Sequence, residues 1–184
     1  MADDTAHGSI LITAFEPFAP PGKPMRPENA SERVLRAFED RAGVRHRLLV
    51  LPVDPRCEVA LARALHEDPA GVVAMGEAGL PGPSDTNVET CARDLPVGPS
   101  GAAGEVRPVR GLYSPFAADL PLVEGMSRED RIGTYWCNRA YFRVLEWCRR
   151  FARPAVFLHL RVDGDRERQV RHLEHVLARM ETIA

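Results

Sequence analysis

Short apolar runs alternate with amphipathic helical stretches at both ends of this 184-residue chain. That alternation limits the fold more than any other feature. Ser9 to Phe15 is aliphatic and rich in β-branched residues, and reads as a buried first strand. Glu16 to Pro27 follows with five prolines and one glycine, a rigid loop at the strand's C-terminal end. Asn29 or Ser31 can cap a helix whose apolar positions are Val34, Leu35 and Phe38. His46 to Val53 is a second strand. Asp54-Pro55 opens a second helix, with Val59, Ala62 and Leu65 as its expected buried stripe. Gly71 to Met75 is a third strand, ending at Gly76. Toward the other end, a helix runs on from Cys137 until Pro154 stops it. Ala155 to Val162 is a central-type strand. Asp163 or Asp165 then caps a last helix with the stripe Val170, Leu173, Val176, Leu177 and Met180. The pattern predicts an α/β fold, a single-domain, largely parallel twisted sheet with helices on both faces, an α/β/α sandwich. Sites in such sheets lie at the C-terminal strand ends, which here means Phe15 to Phe18, Gly76 to Gly79 and His159.

The middle of the chain is irregular. Glycine and proline punctuate Gly76 to Pro83 and Pro96 to Pro108. Val88 to Val97 reads as a possible strand, and Gly111 to Leu122 as a loop with one short element. Residues 1–8 are polar and acidic, so they are expected to form a disordered tail rather than a signal peptide, with one folded domain over 9–184. Charges of both signs are spread along the chain and the net charge is −2, which argues against a nucleic-acid partner. No apolar run is long enough to span a membrane. The four cysteines have no metal-type spacing, so they read as reduced thiols of a cytoplasmic protein. No cofactor or metal is expected. A homo-oligomer is compatible with this reading.

The candidate chemistry lies in Gly133-Thr134-Tyr135-Trp136-Cys137-Asn138. The helix that follows has apolar residues at Tyr141, Val144, Leu145 and Cys148, so Cys137 sits in its first turn. Unpaired backbone N–H groups converge at such an end. Thiols there are more often in the nucleophilic thiolate form, and the same N–H groups can hold an oxyanion. A small buried hydrophobe is the competing reading of Cys137. His159 interrupts an apolar strand. It is either a core histidine bonded to backbone or the proton carrier for a cysteine nucleophile. Glu89 is a candidate third group to orient the ring, with surface solvation as its alternative.

In order, these stretches resemble the pyroglutamyl peptidase I family, the pyrrolidone carboxyl peptidases. Leu11 to Phe18 is similar to the family's opening strand and its T-G-F-E-P-F turn, with Ala14 replacing glycine. Asn29 lies where the family has an Asn-Pro-Ser helix start. Gly76-Glu77-Ala78-Gly79 resembles its G-Q-A-G, and Glu89-Thr90-Cys91-Ala92 the stretch that holds its glutamate. Gly133 to Asn138 is similar to its nucleophile motif, and Phe157-Leu158-His159-Leu160 to its histidine motif. The resemblance implies a cysteine hydrolase that removes N-terminal pyroglutamate through a thioester. Cys137 would be nucleophile, His159 base and then acid, and Glu89 the group that orients the imidazole. Phe15 and Phe18 would form the apolar pocket for a flat lactam ring, with Tyr135 lining it. The partner implied is a small peptide or lactam-containing substrate.

The chain also departs from the family. Glu77 stands where the family has glutamine, and Leu80-Pro81 replaces its glycine-arginine. An ionised Glu77 facing the ligand would favour N–H groups or positive charge and repel a carbonyl. The segment between Pro121 and Gly133 is shorter than the family's, and Arg161 falls within a replaced triplet. These changes point to two alternatives. One is a divergent member acting on another lactam, amide or thioester. The other is a non-catalytic binding module. Asp85 is the next carboxylate candidate for the role of Glu89. His172 and His175, three apart on the last helix, read as a solvated face rather than a metal site. Cys57, Cys91 and Cys148 read as packing residues.

Overall fold

The computed structural model describes residues 8–19, 24–41, 45–78, 82–95, 111–130, 133 and 135–183. Gly79, Thr134 and all of Pro96 to Pro108 lie outside them, as do residues 1–7. The first half holds β1 (Leu11–Phe15), α1 (Ala30–Glu39), β2 (Arg47–Leu51), α2 (Arg56–His66) and β3 (Val72–Ala78). Next come β4 (Thr86–Glu89), β5 (Cys91–Arg93), β6 (Gly111–Tyr113), α3 (Pro115–Asp119) and β7 (Met126–Glu129). The chain closes with α4 (Trp136–Phe151), β8 (Ala155–Arg161) and α5 (Arg166–Glu181).

Six strands form one sheet in the order β2-β1-β3-β8-β4-β7. β2, β1, β3 and β8 are mutually parallel. β4 is antiparallel to β8, and β7 runs parallel to β4. The sheet is thus α/β and mostly parallel, but it changes direction between β8 and β4. β5 and β6 form a separate antiparallel pair.

Strand alternation sends side chains to two apolar layers. Ile10, Ile12, Val73, Met75, Val156, Leu158 and Leu160 pack with the stripes of α1 and α5. Leu11, Phe15, Val72, Ala74 and Phe157 pack on the opposite face with residues of α2 and α4. The expected α5 stripe is buried at every position. Asn29 caps α1, accepting from the Ser31 amide at 2.9 Å, and Asp165 caps α5, accepting from the Arg168 amide at 2.8 Å.

Three expectations need correction. In α2 the buried residues are Cys57, Leu61, Ala64 and Leu65, whereas Val59 is exposed. The stripe lies one residue earlier along most of the helix than its apolar residues suggest. β7 was not expected: its sequence Met-Ser-Arg-Glu has no apolar alternation, and it exists as an edge strand through backbone pairing with β4. His172 is buried rather than solvated. Its Nδ1 meets Thr86 Oγ1 at 2.9 Å and its Nε2 meets the Glu124 carbonyl at 2.9 Å, so it ties α5 to the start of β4 and the turn before β7.

Candidate active site

β8 supplies His159. Alternation places it with Ala155 and Phe157 on the face covered by α4, while Val156, Leu158 and Leu160 face the other layer. On one side it pairs with Gly76 of β3, and on the other with Asn87 of β4. Glu89 is two residues beyond Asn87, so both side chains lie on the face of His159. The Glu89 carboxylate crosses diagonally to the ring, with Oε1 2.6 Å from His159 Nδ1. Glu89 is 2% exposed and His159 9%. A carboxylate this close and this dry fixes Nδ1 as the protonated nitrogen and leaves Nε2 for chemistry.

Cys137 approaches from above. It is the second residue of α4 and half-exposed. Gly76 makes its position possible. A Cβ on Gly76 would lie 2.7 Å from Phe157 Cζ and 3.4 Å from Cys137 Cβ, so the missing side chain is the space these two groups occupy. Gly76 is also the register partner of His159, which sets Cys137 beside the imidazole. The ring of Phe157 meets that imidazole edge-on at 4.8 Å between centroids.

Burial opposes charging the imidazole. Hydrogen bonds and charge interactions with Cys137 and Glu89 outweigh it, and the His159 pKa is raised above the ordinary value. The ring therefore holds a second proton to higher pH than a free histidine. The other thiols are set apart from this chemistry. Burial pushes Cys57 and Cys148 up to about 12, and it raises Cys91 as well.

α4 also grips Glu89 and the segment that follows it. The Asn138 carboxamide accepts from the Arg93 amide and donates to the Arg93 carbonyl, each at 2.9 Å. One turn on, the buried Tyr141 hydroxyl donates to the Glu89 carbonyl at 3.1 Å. The helix start itself lacks a side-chain cap. The Asn138 and Arg139 amides bond the Tyr135 carbonyl, and the amides of Trp136 and Cys137 precede those bonds.

Of the expected pocket residues, Phe15 is buried on the α4 face in the same apolar layer that Cys137 packs against. Its amide is held by Ser31 Oγ at 3.0 Å, and Ser31 in turn by Asn29. Tyr135 is 38% exposed at the mouth of α4. Phe18 is half-buried beyond β1, with the Arg26 guanidinium 5.5 Å above its ring.

Glu77 does not behave as the sequence suggested. Alternation turns it to the α1 face, away from Gly76 and His159. One oxygen is ion-paired with Arg26, and the other accepts from the Ala30 amide at 2.9 Å. It is an anchor for the start of α1 and the loop before it. The sequence reading missed this pairing, because Arg26 and Glu77 are 51 residues apart. It also missed the hydrogen bond that Ser127 Oγ of β7 donates to Asn87 Oδ1 of β4 at 2.8 Å. The only signal for Asn87 was its two-residue spacing from Glu89.

This arrangement defines a class: an α/β sheet with a thiol, an imidazole and a carboxylate gathered on one face. Several solved structures share the fold over nearly the whole chain. Pyrrolidone carboxyl peptidase from Thermococcus litoralis is 21% identical with a TM-score of 0.71, covering 94% of this chain and 93% of that one. A mutant pyrrolidone carboxyl peptidase from the hyperthermophile Pyrococcus furiosus is 19% identical with a TM-score of 0.72, covering 96% and 100%. The enzyme from Thermus thermophilus is 25% identical with a TM-score of 0.69, covering 91% and 98%. The chain has the pyrrolidone carboxyl peptidase fold. No family model matches the sequence, and no curated protein matches it. No helix among the described residues is long and apolar enough to cross a membrane.

Proposed function

We propose that this protein is a cysteine hydrolase of the pyroglutamyl peptidase type, with Cys137, His159 and Glu89 as its catalytic triad. The observation that carries the reading is the Glu89–His159 pair beside Cys137, in a fold shared with pyrrolidone carboxyl peptidases.

In the mechanism, His159 Nε2 takes the proton of the Cys137 thiol. The sulfur attacks the acyl carbon of the substrate, and the carbonyl oxygen becomes an oxyanion. The Trp136 and Cys137 amides at the uncapped start of α4 stabilise that charge. His159 then gives its proton to the departing amine, and a thioester to Cys137 remains. A water deprotonated by His159 hydrolyses it. Glu89 keeps the ring in one tautomer and stabilises the imidazolium throughout. Phe15 forms the apolar wall for a lactam ring, with Phe18 and Tyr135 at its margin. With Glu77 bound by Arg26 and Ala30, no fixed negative charge from that residue reaches the pocket.

The rest of the reading is of one folded domain over 9–184, acting in the cytoplasm. Four free cysteines support a reducing compartment. Turnover of a pyroglutamyl anilide tests the activity. Native turnover that Cys137→Ser abolishes is expected. A native protein inactive on this substrate, yet alkylated at Cys137, would mean a different amide or thioester is cleaved.

A further inference from the structure

The strands align five residues at one level of the α4 face. His159 is flanked by Gly76 and Asn87, and Asn87 pairs onward with Ser127 of β7. Continuing the β1–β3 register by two residues brings Phe15 beside Gly76. The row therefore reads Phe15, Gly76, His159, Asn87, Ser127. Cys137 lies over Gly76. The apolar acyl pocket is on the Phe15 side of the nucleophile. The leaving amine must depart past His159, on the side of Asn87.

Asn87 is half-buried, and Ser127 Oγ donates to its Oδ1 at 2.8 Å. Ser127 is on the far strand from His159. With the carboxamide oxygen engaged by Ser127, the nitrogen makes no hydrogen bond among the described residues, on the strand next to His159. The neighbouring polar groups on this face are engaged elsewhere. Glu89 holds the imidazole, and Arg161, the next residue along β8 on that face, grips Asp163 at 2.8 and 2.6 Å.

We propose that Asn87, oriented by Ser127, is a specificity-determining residue for the leaving group. Its carboxamide N–H donates to the carbonyl oxygen of the peptide unit that follows the scissile bond. The site thereby favours a peptide over a leaving group that lacks such an acceptor. A donor held in place by a second residue, and not otherwise satisfied, gives discrimination of this kind. The inference rests on the hydrolase reading above.

The test compares two substrates of the full chain: a pyroglutamyl dipeptide amide, which has that carbonyl, and a pyroglutamyl anilide, which does not. In Asn87→Ala the fall in kcat/KM on the dipeptide amide should exceed that on the anilide by about tenfold, the worth of one hydrogen bond. Asn87→Asp, which replaces the donor with an acceptor, should discriminate at least as strongly. Ser127→Ala should show the same bias to a smaller degree, and it carries the test if Asn87→Ala does not fold. Equal losses on both substrates, or none on the dipeptide amide, overturn the assignment. A native protein inactive on both substrates overturns the pyroglutamyl reading, and this assignment with it.

Discussion

Asn138 binds both backbone groups of Arg93, standing in for a strand where α4 meets β5. It is the residue after Cys137, and Arg93 is four residues after Glu89. The helix that presents the sulfur thus fixes the segment that presents the carboxylate. Asn138→Ala leaves two partly buried backbone groups without their partner. It should destabilise the protein by about 1–3 kcal/mol in urea titration. Turnover should fall further than the lost folded fraction explains, since the segment that runs on from Glu89 loses its hold on α4. Tyr141→Phe, which removes one hydrogen bond, should cost about 1 kcal/mol.

The ring of His159 should titrate above the ordinary histidine value when followed by NMR. Glu89→Gln should bring that midpoint down and lower kcat with little change in ligand affinity. The sign for stability follows from the raised folded-state pKa. The contribution of His159 is complete below the ordinary value and is lost as pH rises through the raised one. A midpoint unchanged in Glu89→Gln would show that the carboxylate does not hold the proton there.

Limited iodoacetamide should label Cys137 before the other thiols. Cys57, Cys91 and Cys148 are buried, and burial raises the pKa of each. Mass spectrometry of native protein should find one modified site, absent in Cys137→Ser. Labelling of Cys91 at a comparable rate would contradict the assignment.

Gly76→Ala places a methyl group against the Phe157 ring and Cys137 Cβ. Overpacking of this kind typically costs about 1–3 kcal/mol. Because the groups displaced include the nucleophile, kcat should fall well beyond what thermal melting accounts for.

Glu77→Gln removes the ion pair with Arg26 but keeps an acceptor for the Ala30 amide. With Arg26 partly exposed, a loss of about 1–3 kcal/mol in denaturant unfolding is expected. The fall in turnover should be accounted for by that loss. A gain of pyroglutamyl turnover in this variant would restore Glu77 to the ligand site.

Much of the frame was legible because it depends on local rules. The stripe of α5, the cap at Asn29 and the apolar run of β8 each carry their own signal. Cys137 and His159 were legible from a helix start and a polar break in a strand. Other features are set by distant partners. Nothing within Met126–Glu129 encodes a strand, which forms because β4 offers an edge. Val59 is apolar yet exposed, since α2 packs through Cys57 and Leu61. His172 finds Thr86 across 86 residues, and Glu77 finds Arg26 through the turn after β1. The roles of Asn87 and Ser127 depend on which strands flank β8, which no local pattern states.

The reversal of direction between β8 and β4 has a consequence for how such a chain can change. Glu89 faces the imidazole while Val88 faces the opposite apolar layer. A slip of one residue in β4 would exchange them, placing a carboxylate in oil and a methyl group against His159. Asp85 and Thr86 hold the count, through the Arg161 amide to the Asp85 carbonyl and His172 to the Thr86 hydroxyl. Residues gained or lost ahead of Asp85 leave the register of β4 unchanged. A single insertion between Asp85 and Glu89 is an all-or-nothing event, so lineages should vary in length on one side of that boundary and keep strict spacing on the other.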